Sequence, residues 1–180
     1  ELNYSLEANG GLGEGTVVPE IADSLMQDLA GNGNTASTAT DNTVTYDTIA
    51  PSVTIEQSVS ETVGTCTFTA QADPINTLPI EYRVTFSEPI DSATFDSSDI
   101  VESGSADGVV FTVTDCGDET NYSVKATSMS TAGHVIPSIS AGAVDDPAGN
   151  SIAASTSTDN SVLYDNMGLG ITGVNRPGDG

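Results

Sequence analysis

The chain has 180 residues and a formal net charge of -23, with three basic residues, Arg83, Lys125 and Arg176. So few cations cannot neutralise a run of phosphates, which excludes nucleic acid and disfavours anionic membrane surfaces as partners. Hydrophobic residues make up 37% of the chain and Trp is absent, enough for modest cores of about 100 residues each but not for one large enzyme core.

The N-terminal segment is read through a repeat. Asn3–Asp47 aligns without a gap on Asn121–Asp165, an offset of 118 residues, with 21 of 45 positions identical. NYSLEA matches NYSVKA, VVPEIADSLMQDLAGN matches VIPSISAGAVDDPAGN, and STATDNTVTYD matches STSTDNSVLYD. Residues 1–47 are therefore expected to be the back part of one copy, 48–165 a complete copy, and 166–180 a linker leading into a further unit. On that reading the chain begins inside a domain. Either its front lies upstream, or the missing strands come from a neighbouring chain.

Within 48–165, short alternating runs are separated by turn residues. They predict strands at Ser52–Gln57, Cys66–Gln71, Ile80–Ser87, Ile100–Glu102, Val109–Thr114, Tyr122–Ala126, Val135–Ile139 and Ser161–Tyr164. Tyr82, Val84 and Phe86 alternate with Arg83 and Thr85, the pattern of a half-buried antiparallel strand. Turns every 8–12 residues or so predict an all-β sandwich. Ile100–Glu102 is expected to be an edge piece or a sheet-crossing segment. Cys66 and Cys116 form no CxxC, so zinc is not expected. In an oxidising compartment they could pair, or they could stay as two buried thiols.

Enzyme motifs are missing from the sequence, and the chain is expected to be non-enzymatic. Nothing resembles GxSxG, and the sole histidine, His134, has Thr16 as its counterpart in the first copy. The run GGLGEG at 10–15 matches SMSTAG in the second copy and precedes a strand, so it reads as a turn, not a phosphate cradle. The NYS sequons at Asn3 and Asn121 begin predicted strands and are taken as structural.

DTIAPSVTI at 47–55, ADPINTLPIEYRVTFSEPI at 72–90, AGAVDDPAGN at 141–150 and STSTDNSVLYD at 155–165 resemble the bacterial immunoglobulin-like repeats of large surface adhesins. The tail ITGVNRPGDG at 171–180 resembles the opening of a different Ig-like repeat found in such arrays. The resemblance implies tandem Ig-like antiparallel β-sandwiches, extracellular at a cell surface, forming the stalk of an adhesin or fibre. It implies neighbouring Ig-like repeats as partners, in the same or adjacent chains. A homopolymeric filament with exchanged strands is the alternative.

Calcium is the cofactor expected. A surface this acidic repels itself unless salt or bound divalent cations screen it, and calcium takes six to eight oxygen ligands. The fold implied by the resemblance would bring Asp73–Pro79, Asp145–Asn160 and the linker at Asp47 to one pole. The expected ligands are Asp47, Asp73, Asp146, Asn150 and Asp159, with Asp28, Asn32 and Asp41 as counterparts in the first copy. The alternative for each is an Asx-turn, in which the side chain bonds its own loop. Glu88, Asp91, Asp96 and Asp99 form a second acidic cluster, read as solvated surface.

Overall fold

The computed structural model describes residues 5–8 and 14–170. The tail 171–180, the sequon at Asn3 and most of the glycine-rich run therefore lie outside the described residues. By its contacts the chain divides into two units, Glu1–Ile49 and Ala50–Gly180.

In the first unit, β1 (Gly15–Val17) pairs antiparallel with β2 (Val44–Tyr46), Gly15 opposite Tyr46 and Val17 opposite Val44. The chain between them doubles back through a bridge of Gln27 to Gly33 that closes the DLAGN loop. Further on, Ser37 binds Ile21 in both directions: its N–H donates to the Ile21 carbonyl and its Oγ accepts from the Ile21 N–H.

The regular structure of the second unit is nearly all strand. It contains β3 (Val53–Gln57), β4 (Glu61–Val63), β5 (Cys66–Phe68), β6 (Ile80–Phe86), β7 (Ile100–Glu102), β8 (Val110–Asp115), β9 (Asn121–Ser128), β10 (Gly133–Val135), β11 (Pro137–Ile139) and β12 (Val162–Tyr164). Single 3-10 turns lie at Ser92–Thr94 and Ser97–Asp99. Four strands form one antiparallel sheet in the order β3-β6-β9-β8, while β10-β12 and β11-β7 form short antiparallel ladders.

The alternation in β6 has the expected consequence. Ile80, Tyr82, Val84 and Phe86 are buried in one cluster with Ile55, Val124, Val135, Ile139, Val144 and Val162. That cluster joins the four-stranded sheet to the short ladders. Tyr82 Oη donates to the Val135 carbonyl at 3.0 Å, tying sheet to ladder. Phe86, Phe95 and Tyr122 pack edge-to-face with centroids 5.1 to 5.7 Å apart, a geometry that favours their quadrupoles.

Two predicted strands differ from the expectation. The strand predicted over Val135–Ile139 breaks in two, with β10 on β12 and β11 on β7. Pro137 has no N–H to continue a ladder, and the Ile136 N–H turns instead to the Glu102 carboxylate. The strand predicted over Cys66–Gln71 is shorter and forms a hairpin with β4, which has no apolar alternation to announce it. That hairpin turns at Gly64, where φ is +56° and a Cβ would stand 2.0 Å from the Cys116 carbonyl oxygen, so only glycine fits. Ile100–Glu102 pairs with Pro137–Ile139, as an edge piece can. Cys66 and Cys116 form a disulfide, and with Phe68 they make a second, small core.

The first unit's backbone pattern recurs 118 residues on. Gly133 lies opposite Tyr164 and Val135 opposite Val162, as Gly15 does Tyr46 and Val17 does Val44. The bridge of Asp145 to Ser151 matches that of Gln27 to Gly33. Ser155 binds Ile139 as Ser37 binds Ile21, and the Asn42 amide reaches the Pro19 carbonyl as the Asn160 amide reaches that of Pro137.

Candidate functional site

The two DxAGN loops have one construction. Asp146 Oδ1 accepts from the N–H groups of Ala148 and Asn150, and its Oδ2 accepts from Asn150 Nδ2, each at 2.8 Å. Asp28 does the same with Ala30 and Asn32 at 2.8 to 2.9 Å. Gly149 and Gly31 take φ of +89° and +85°, which closes the turn. Asp and Asn at this spacing form such loops because the short carboxylate reaches backbone donors two and four residues on.

The remaining expected ligands are placed one by one. Asp73 Oδ1 accepts from the Leu163 N–H at 2.9 Å, so this loop lies against β12. The backbone N–H of Asp159 is held by Glu56. Asp41, its counterpart, is exposed at a bend. Asp47 accepts from the Ile49 N–H, the turn that Asp165 makes with Met167.

The structure brings Asp146 together with Asn150, and Asp28 with Asn32. Of the expected stretch Asp145–Asn160, Asp145–Asn150 lies at the opposite end of β6 from Asp73–Pro79, whereas Asp159, whose carbonyl accepts from Gln57 N, lies at the same end. The Asp145 carbonyl accepts from Asp91 N, beyond the Phe86 end of β6, whereas Asp73–Pro79 leads into its Ile80 end. Loop contacts set these places, and the strand pattern carries no information about them.

In the second acidic cluster, Asp91 caps Ala93, while Asp96 and Asp99 form a reciprocal capping box around a 3-10 turn. The side-chain and backbone hydrogen bonds from Ser98 hold the Asp96 carboxyl below its usual range. These carboxylates serve as turn caps.

A hard cation needs six to eight converging oxygens. Inside one DxAGN loop the carboxylate already accepts three N–H bonds, and the Asn side chain presents its NH₂ to it. One loop therefore does not make a cation site; oxygens from other loops would have to complete it.

Sequence reasoning missed the Glu56 clamp. From β3 the Glu56 carboxylate accepts from the Thr158 and Asp159 N–H groups at 2.9 and 2.6 Å and from the Ser157 and Thr158 hydroxyls at 3.0 and 3.2 Å. A contact across about 100 residues leaves no local signal. An open cleft of about 610 Å³ is lined by Gln71, Pro74, Ile75, Asn76, Pro79 and Asp165, among others. His134 Nδ1 lies 3.1 Å from Ser161 Oγ on the exposed β10–β12 edge; Thr16 and Thr43 occupy these places in the first unit.

Partial burial opposes the charge on Glu56 and on Asp146. The hydrogen bonds from Thr158 and Asp159 in the first case, and from Asn150 and Ala148 in the second, outweigh it and hold both carboxyls low. Their folded-state pKa values lie below the unfolded ones, so the stability they contribute is fully present above about pH 4 and is lost as pH falls through the folded values. Thermal midpoints of Glu56→Gln and Asp146→Asn should lie below the parent's at pH 7 and converge on it as pH falls through the folded values. A gap that persists into acid would show that these carboxylates act through shape alone.

No helix among the described residues is long and apolar enough to cross a membrane. The chain matches no protein-family profile, no curated protein and no solved structure.

Proposed function

We propose that this chain is a stretch of tandem Ig-like β-sandwich repeats serving as a structural spacer in an acidic extracellular fibre or surface adhesin. The observation that carries the reading is the recurrence, 118 residues apart, of one set of strand registers, loop closures and side-chain-to-backbone bonds. A module copied with its backbone bonds intact is what an array needs, because each copy must fold alike and function lies in length and stiffness. The disulfide suits an oxidising, extracellular compartment. Turnover of glycan, ester or peptide substrates by the purified chain would overturn the reading.

Calcium belongs to the proposal as counter-charge. A net charge of -23 opposes compaction, and a divalent cation held between acidic loops removes that cost. A ligand that binds the folded state alone at 100 times its dissociation constant adds about 2.7 kcal/mol. The thermal midpoint should then rise by roughly 10 °C in millimolar calcium over excess chelator at fixed ionic strength. Magnesium should give less. Equal midpoints would remove calcium from the reading and leave a spacer whose acidic loops are turns.

A further inference from the structure

The two copies of the repeated segment share backbone bonds and differ in what covers them. In the second unit Val135, Ile139, Val144, Val162 and Tyr164 are 0 to 9% exposed, buried against the sheet β3-β6-β9-β8. Their counterparts Val17, Ile21, Met26, Val44 and Tyr46 are 41, 40, 53, 63 and 47% exposed. Four of the five pairs are identical residues. An apolar face kept in sequence, kept in register and left open is a surface shaped for a partner.

The second unit shows what that partner looks like. There the sheet's Ile55, Tyr82, Val84, Phe86 and Val124 pack on the face. Tyr82 Oη bonds the Val135 carbonyl, and β3 exchanges backbone bonds with Thr156. The residues receiving these contacts, Val135 and Thr156, have Val17 and Thr38 as identical counterparts.

We propose that the open face of residues 14–47 docks a β-sheet segment built like residues 48–118. This rests on the repeat reading above and adds the partner of the open face. NYSLEA at 3–8 matches NYSVKA in β9, and Glu1 matches Glu119, so the covering sheet's own inner strand is already spelled out directly before the face. A second copy of the chain is a poor occupant. Its one such sheet already covers its own β10–β12 ladder, and exchange would uncover as much apolar area as it covers.

The test is a chain carrying an extra copy of residues 48–118 fused ahead of Glu1, compared with the 180-residue chain. Amide exchange over 14–47 should slow by about 100-fold or more, and binding of a hydrophobic dye should fall. Ile21→Asp with Val44→Asp in the fused chain should reverse both effects. Protection of 133–164 reports on the repeat module itself, so its loss would count against the structural reading and not against the docking. Unprotected 14–47 beside a protected 133–164 overturns the proposal. So would a dimer of the 180-residue chain in which 14–47 is already protected.

Discussion

Removing the Cys66–Cys116 bond should lower the thermal midpoint of the second unit by about 15 °C. The bond closes a loop with a sequence separation of 50. In the chain-entropy account a closure of that length restricts the unfolded state by about 4 kcal/mol. It also holds the β4–β5 hairpin against the end of β8, where Phe68 is buried and the Thr65 N–H donates to the Cys116 carbonyl at 2.6 Å. That small core has few other apolar members, so it depends on the tether more than the main core does. The double variant Cys66→Ala and Cys116→Ala, or reduction under native conditions, should therefore expose residues 59–70 to protease before β3-β6-β9-β8 opens. A midpoint within about 1 °C of the parent would mean that the hairpin holds without the bond and that the unfolded state is already compact.

What was legible in the sequence follows from how local each cause is. β6 was readable because Tyr82, Val84 and Phe86 mark one face at a period of two, and β8 because Val109, Phe111 and Val113 do the same. The pairing of β10 with β12 was foreshadowed by the repeat, which keeps Gly, Val and Tyr at the paired positions. β4 was not readable: Glu61–Val63 is set by the Gly64 turn and by a disulfide partner 50 residues away. The loops were read correctly as Asp- and Asn-rich, but composition cannot separate a ligand from an Asx-turn, since both use the same oxygens. In the structure Asp28 and Asp146 each accept backbone hydrogen bonds within their own loops. Glu56 left no trace because its partners, Ser157 to Asp159, are distant in the chain.

Ile139→Ala and Ile21→Ala compare one repeat position with and without the covering sheet and the β7 ladder. Both residues donate their N–H to a serine Oγ at 2.9 Å and accept from that serine's N–H. The bonds to serine are shared; the β11–β7 pairing at Ile139 and the exposure, at 1% against 40%, are not. Truncating Ile139 should cost about 2 to 5 kcal/mol, because it removes transfer energy and leaves a cavity against the sheet. Truncating Ile21 should change stability by less than about 0.5 kcal/mol, as at an ordinary surface position. Denaturant unfolding of the two variants measures the difference directly. Equal, large losses would mean that the Ile21 face is covered in solution by something the 180-residue chain itself supplies. Equal, small losses would mean that the β11 side of the core relaxes around the missing atoms. In the fused chain that carries a second covering sheet, the cost of Ile21→Ala should rise toward that of Ile139→Ala, converting a silent position into a core position without altering its own segment.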